Sequence, residues 1–289
     1  MQVKGVSPNF AFEIIQLQMK ISSMKKILFI ISIFSFLTTV KAQDRLFTFT
    51  YQSNVLNKGQ KELEVWTTMK NGRQDYYRGF DHTLEFEVGL GSNLQTAFYL
   101  NSSYSKGIVS DNSVQSVEDD KSFSFANEWK LKLSDPVSNP IGSSVYVEYT
   151  LSPQEVELEG KLIFDKQIGK TVLALNVTGE YEFVNELVPL NSLIDVQHGH
   201  EVKLNLNYGF AYQLSNHFSI GLEAYNNNLF RNNIFEFSVL SAGPCVSYYT
   251  DGFWVNLSVL PQITDFKSGE LNYTENEKLK TRLLFSFAL

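Results

Sequence analysis

Residues 202–214 alternate without a break. Val202, Leu204, Leu206, Tyr208, Phe210, Tyr212 and Leu214 are apolar or aromatic, and Lys203, Asn205, Asn207, Gly209, Ala211 and Gln213 stand between them. Successive side chains of a strand point to opposite faces, so this period of two prescribes an extended segment with one apolar and one polar or small side. A helix would need a period near 3.6. Residues 123–133 behave alike. Phe123, Phe125, Trp129, Leu131 and Leu133 share a face that Asn127 alone interrupts, while Ser124, Ala126, Glu128, Lys130 and Lys132 occupy the other. Residues 173–183 repeat the pattern, with Asn176, Thr178, Glu180 and Glu182 on the polar side.

The same reading along the chain gives twelve strands, at 60–70, 81–90, 94–105, 121–134, 142–151, 155–166, 171–184, 200–214, 218–227, 234–249, 253–262 and 277–289. Tight connections at 91–93, 135–140, 167–169, 215–217 and 250–252 follow the even-numbered strands and are rich in turn-forming residues. Longer polar links at 71–80, 106–120, 185–199, 228–233 and 263–276 follow odd-numbered ones; 152–154 is the one short link among them. Short turns at one end and long loops at the other predict an all-β, transmembrane, antiparallel up-and-down barrel. Strands of ten or more residues match the roughly 9–11 tilted residues that cross a bilayer, whereas sandwich strands more often run to about 5–6. Aromatics gather toward the predicted strand ends, as in interfacial girdles: Tyr104, Phe123, Tyr149, Tyr181 and Phe183 at the long-loop end, and Trp129, Tyr212, Phe218, Tyr248, Tyr249, Phe253 and Trp254 at the other. The final residues, Leu283 to Leu289, alternate to the carboxyl end and resemble the signal read by the barrel assembly machinery, with Leu289 where an aromatic is commoner.

The first 42 residues read as an address. Lys25 and Lys26 precede an apolar run from Ile27 to Leu37, and small residues at Val40 and Ala42 mark cleavage. A run of 11 residues rises about 16 Å as a helix, roughly half a hydrocarbon core. The expected organisation is an upstream extension at 1–23 before a true start at Met24, a signal peptide at 24–42, a periplasmic segment at 43–59 and a barrel at 60–289. Leu46 to Phe49 read as a small periplasmic strand in that segment. Removing the leader takes Lys4, Lys20, Lys25, Lys26 and Lys41 but only Glu13, so the exported product is more acidic than the full chain at −7.

Composition excludes several functions. A single cysteine rules out a disulfide framework and multi-cysteine metal sites. The acidic balance argues against nucleic acid as a partner, and 43% hydrophobic residues argue against disorder. Phosphate-cradling glycine loops and the zinc-protease helix motif are missing from the sequence. Cys245 reads as a structural thiol, and Gly243-Pro244 as a bulge or bend in the tenth strand. His82, His198, His200 and His217 sit at strand edges or in loops, a poor match to the Ser–His pair of an outer-membrane phospholipase, and two histidines at 198 and 200 are too few for a metal centre. No cofactor, catalytic residue or metal ligand is assigned, and the chain reads as a non-enzyme.

With the apolar face on outer-membrane lipid, the polar face lines the lumen. It holds Glu62, Glu64, Glu85, Glu87, Glu128, Glu148, Glu157, Glu159, Glu180, Glu182, Glu223 and Glu236, against Lys130, Lys132, Lys161, Lys203, Lys280 and Arg282. Twelve acids against six bases predict porin-like passage of small polar or cationic solutes, selected by neutralisable residues such as Glu85 and Glu87. The same charges, paired across strands, would instead plug the lumen and leave a structural, adhesin or receptor role. Asn57-Lys58-Gly59 followed by Glu62 to Thr68, then Phe86 to Leu90, Leu94 to Ala97, Gly221-Leu222-Glu223, Gly243-Pro244 and Trp254 to Pro261, resemble an uncharacterised family of small Gram-negative outer-membrane barrels, and the Ala42-Gln43 junction looks like a Bacteroidetes-type export signal. The resemblance implies the fold and an outer-membrane location, and no substrate.

Overall fold

The computed structural model describes residues 45–111, 114–153, 155–190 and 193–289. The predicted start, leader and cleavage site lie outside the described residues. Twelve strands follow in order: β1 Lys61–Asn71, β2 Tyr77–Gly91, β3 Leu94–Asp111, β4 Val114–Ser134, β5 Gly142–Leu151, β6 Glu155–Ile168, β7 Thr171–Leu190, β8 Leu193–Ser215, β9 Phe218–Arg231, β10 Ile234–Thr250, β11 Phe253–Asp265 and β12 Leu279–Ala288. Each pairs antiparallel with its chain neighbours, and β1 pairs with β12 from Glu62↔Ala288 to Asn71↔Leu279, so the sheet closes into a barrel without a free edge.

Alternation decides which way each side chain faces. The outer surface carries the apolar set, with Leu204, Leu206, Tyr208, Phe210 and Leu222 all exposed, as a lipid-facing wall requires. Asn127 interrupts this face but is not free. Its Nδ2 donates to Thr96 Oγ1 (3.2 Å) and to the Ala97 carbonyl (2.8 Å), and its Oδ1 accepts from Trp129 Nε1 at 2.8 Å. Local pairing therefore removes most of the cost of an amide on an apolar surface. Leu206→Arg should cost about 2–4 kcal/mol, the penalty for a cation near the bilayer midplane. Urea titration of the protein refolded in lipid vesicles measures it, and an unchanged midpoint would put this face against something other than lipid.

The turns explain the register. Ser92 and Asn93 both take positive φ (53° and 64°) between β2 and β3, as do Asn232 and Asn233 (48° and 67°) between β9 and β10. Two consecutive left-handed residues make the tight hairpin whose twist suits the strands, and asparagine tolerates that geometry. The predicted loop at 228–233 is thus only a two-residue turn. The links at 106–120 and 185–199 differ more. β3 and β4 pair as far as Asp111↔Val114, and β7 and β8 as far as Leu190↔Leu193, so both links are tall hairpins. Both read as long polar connections because alternation fades there, but a hairpin standing beyond the bilayer is held by backbone pairing and needs no apolar face. The extended link that remains, 266–278 between β11 and β12, is mostly exposed but turns Asn276 and Glu277 inward at the barrel mouth.

The apolar core lies inside the barrel, near the short-turn end. It joins Leu46 and Phe47 to Val172, Ala174, Ala211, Cys245, Tyr249, Trp254, Leu284 and Ala288. Residues 45–56, part of the 43–59 segment expected in the periplasm, thus run within the barrel and form no strand. Leu46, Phe47 and Phe49 are too short a stretch to span lipid and find cover only in the lumen. Trp254 and Tyr249, expected in the aromatic girdle, also face inward, and Trp254 is 0% exposed. Trp254 shares its parity on β11 with Asn256 and Ser258, and the inner segment gives it an apolar neighbour.

Candidate functional site

Residues 45–57 form a belt around the inside of the wall. Followed backward from β1, the belt meets the strands in ring order. Leu56 N donates to Gln95 Oε1 on β3 (2.8 Å), and Lys132 Nζ on β4 donates to Asn54 Oδ1 (3.0 Å). Tyr51 N donates to Asn176 Oδ1 on β7 (2.6 Å), and Asn207 Nδ2 on β8 donates to the Phe49 carbonyl (2.8 Å). Ser247 Oγ on β10 donates to the Leu46 carbonyl (2.8 Å), and Asn256 Nδ2 on β11 to that of Arg45 (2.8 Å). Arg45 then reaches across to β1, its Nη1 3.5 Å from Glu64 Oε2. An irregular buried segment must find partners for its backbone groups outside itself. The inward asparagines and glutamines supply them.

Glu223 on β9 is the main anchor. Its Oε1 accepts from Phe49 N (2.6 Å) and Thr50 N (2.7 Å). Its Oε2 accepts from Thr48 N (3.2 Å), Thr48 Oγ1 (3.1 Å) and Ser258 Oγ (2.6 Å). Successive N–H groups around one carboxylate form a small anion-binding nest. Phe47 seats against Gly209, where a Cβ would come within 2.7 Å of its ring, so the bare backbone there makes room for the belt.

Above the belt, toward the long-loop end, lies a cavity of about 470 Å³. Phe49 and Tyr51 of the belt contribute to its lining together with Trp66, Tyr99, Tyr146 and Tyr225 from the wall. Arg282 stacks on Phe49 (3.8 Å from its centroid), and Lys161 lies 4.1 Å from the Tyr51 centroid and 4.2 Å from that of Tyr146. The vestibule wall carries Asp81, Glu148, Glu159, Glu180, Glu275 and Glu277 against Lys70, Lys161, Lys203, Lys280 and Arg282, so the charges nearly balance.

The candidate lining residues divide into groups. Glu128, Glu148, Glu159 and Glu180 stand directly opposite one another on β4 to β7, and Lys203 on β8 ends the row. Tyr99 donates to Glu128 and Tyr146 to Glu148. Lys161 meets Glu159 at 2.8 Å, and Lys203 bridges Glu180 and Glu182, with Glu157 paired opposite Glu182. These contacts relieve a row of like charges that would otherwise destabilise the sheet. Glu62, Glu64, Glu85 and Glu87 lie together on the inner face of β1 and β2. Glu85 and Glu87 are buried and absent from the vestibule wall, so they are not positioned to filter solutes there. Lys130 is buried on the inner face of β4, while Lys132 sits at the short-turn rim with Asp135 (2.7 Å). Asp135, in that turn, is held well below the usual carboxylate range by Lys132 and by the N–H groups of Ser138 and Val137. Glu236, expected on the lumen wall, does not follow the simple alternation of β10. It is the extra residue of a bulge between Phe235 and Phe237, so Phe237 takes the inward position next to Leu229 and Val239.

The histidines point elsewhere. His82 Nδ1 lies 3.1 Å from Thr67 Oγ1 on the outer face, and His217 Nδ1 3.0 Å from the Tyr249 carbonyl. His198 and His200 face different asparagines, Asn185 (2.6 Å) and Asn233 (3.4 Å). The lumen aromatics Trp66, Tyr99 and Tyr146 carried a signal in the sequence: Trp66 shares strand parity with Glu64, Tyr146 with Glu148 and Tyr99 with Gln95.

The link between β11 and β12 narrows the mouth. Glu277 accepts from Arg73 Nη2 at 3.0 Å and lies 3.6 Å from Lys280 Nζ, and the backbone of the link pairs with the β1–β2 connection at Gly72 and Gln74. Burial pushes the Glu277 carboxyl up, but Lys280, Lys70 and Arg73 outweigh it and hold it below its ordinary value. With a depressed folded-state value, its contribution is complete above the unfolded pKa of about 4.3 and is lost as pH falls through the folded one. Acidification from neutral to below about pH 4 should therefore loosen this link. Limited proteolysis of residues 266–278 measures it, and cleavage independent of pH would exclude Glu277 as the latch.

Residues 39–289 match a family described as a family of unknown function (DUF6662). No curated protein matches. Among solved structures, an outer membrane channel from Pseudomonas putida F1 is similar at TM-score 0.57 and 7% identity, covering 84% of this chain and 100% of that one. The translocator domain of the autotransporter NalP from Neisseria meningitidis gives 0.53 at 12% identity, over 79% and 88%. The beta domain of the Bordetella autotransporter BrkA gives 0.50 at 9%, over 81% and 100%. At such identities the likeness is one of fold.

Proposed function

Because this chain belongs to that family of unknown function, with residues 39–289 inside its bounds, we propose a role from geometry alone: an outer-membrane barrel that passes small polar or cationic solutes only when its N-terminal belt is displaced. The tall hairpins and the vestibule face the cell exterior, and the tight turns face the periplasm. A solute enters beside Tyr99, Tyr146 and Tyr225, whose rings offer stacking while Lys161, Lys203 and the glutamate row offer hydrogen bonds. Below it Phe49, Tyr51 and Arg282 obstruct the way. The observation that carries this reading is the belt itself, buried from Leu46 to Thr50 and fastened to strands around most of the ring. It replaces simple open passage with gated passage. Planar-bilayer recording of the intact chain and of one lacking residues 45–54 tests it. The intact protein should be silent, and the shortened one should give discrete steps. Steady steps from the intact chain would favour the open pore, and silence from both would leave a structural or surface-binding role.

A further inference from the structure

Two pairs of glutamates face each other across β1 and β2: Glu62 opposite Glu87, and Glu64 opposite Glu85. Like charges directly opposite destabilise a sheet, and buried carboxylates need compensation. We propose that these four carboxylates bind a divalent cation, calcium by their chemistry, inside the barrel wall and apart from the vestibule.

Three observations carry this. Carboxylate oxygens of Glu62, Glu64 and Glu87 lie within 4.8 Å of one another. Glu85 stands across from Glu64 and beside Glu87 on the same inner face. It is 0% exposed, its carboxyl lies against those of Glu64 and Glu87, and neither of its oxygens has a nitrogen or hydroxyl donor among the described residues. Glu64 and Glu87 also border a small void of about 10 Å³ that Arg45 and Lys130 share, roughly the least room that one water or one bare ion needs. Arg45 meets Glu64 at 3.5 Å, while both oxygens of Glu85 remain without a donor.

The donor set consists of carboxylate oxygens, which selects a hard cation over zinc or copper. Magnesium gives up its water reluctantly, and a buried cluster with so little free space suits calcium better. The second carboxylate group, Glu157, Glu159 and Glu180, is half-buried and already carries Lys161 and Lys203. The cation site stands or falls independently of solute passage.

The test uses the full chain folded in detergent, stripped with EDTA and titrated with calcium chloride by calorimetry at neutral pH, with heat-dependent gel mobility as the stability readout. One saturable equivalent should bind and raise the temperature at which the folded band disappears. Glu85→Gln should weaken binding about tenfold or more while keeping the folded band. Glu87→Gln serves should that variant fail to fold, and Glu180→Gln should bind as the unaltered chain does. Absence of saturable binding would mean that protons, not a metal, neutralise the cluster and would overturn the proposal. So would unchanged affinity in both the Glu85 and Glu87 variants, or loss of binding in Glu180→Gln alone.

Discussion

In planar bilayers, the Glu223→Ala variant should carry current, and the unaltered chain should not. Phe49 N, Thr50 N, Thr48 N and Thr48 Oγ1 all donate to that carboxylate. Each buried donor left without an acceptor costs about 1–3 kcal/mol, so removing one side chain exceeds what most single contacts contribute. The loss falls on the belt rather than on the wall, because β9 stays paired with β8 and β10 through its backbone. The barrel should keep its folded gel mobility while a cysteine placed at Thr48 becomes reactive to a thiol reagent added from the aqueous phase. Glu223→Gln retains one carbonyl acceptor and should lie between the two. Glu201→Ala, which breaks only an exposed pair with Arg231, should leave the current unchanged. A variant whose belt is demonstrably released but still passes no ions would place the barrier at the 266–278 link and remove the belt as the gate.

The second large effect concerns folding. Gly243→Ala should abolish most of the folded barrel. A Cβ there would stand 2.0 Å from the Val259 carbonyl oxygen and 3.1 Å from Pro261 Cδ. The obstacle is main chain, so a side-chain rotation cannot relieve it. The ladder between β10 and β11 is already interrupted here, pairing at Ser241↔Gln262 and resuming at Cys245↔Ser258, where Pro244 has no N–H to give. The expected loss is roughly 3 kcal/mol or more, the upper part of the range for overpacking, read from urea unfolding and from the fraction of heat-modifiable band. Gly160→Ala is the control, since its Cβ would meet nothing within 4 Å. Equal behaviour of the two variants would refute the close approach at Gly243.

The wall was readable in the sequence because lipid on one side and polar groups on the other leave a period of two that no helix shares. Strand count, direction and closing order all follow from that period and from the spacing of turns. The same parity places Glu128, Glu180 and Lys203 inward without reference to the structure. What it could not reveal is what fills the interior. Leu46 to Phe49 look like any short apolar stretch, and nothing local says that their partners are Trp254 and Cys245, some two hundred residues on. Glu236 shows the other limit: one inserted residue shifts the alternation, and Phe237 takes the inward place that the simple count assigns to the glutamate. Trp254 and Tyr249 were assigned outward because aromatic residues at strand ends usually belong to a girdle, and only the parity of their own strands separates the two cases.

The seam between β1 and β12 joins the earliest and latest strands of the ring, with Ser286 Oγ donating to Glu62 Oε2 at 2.8 Å across 224 residues of sequence. Such distant pairing forms slowly. A product released before β12 is made would lack the mate of β1 together with Arg282, which donates to the Thr48 carbonyl at 3.2 Å. Premature termination would therefore yield a leaky, sticky fragment with a bare edge, and envelope proteases would meet it as an open sheet before it ever matured.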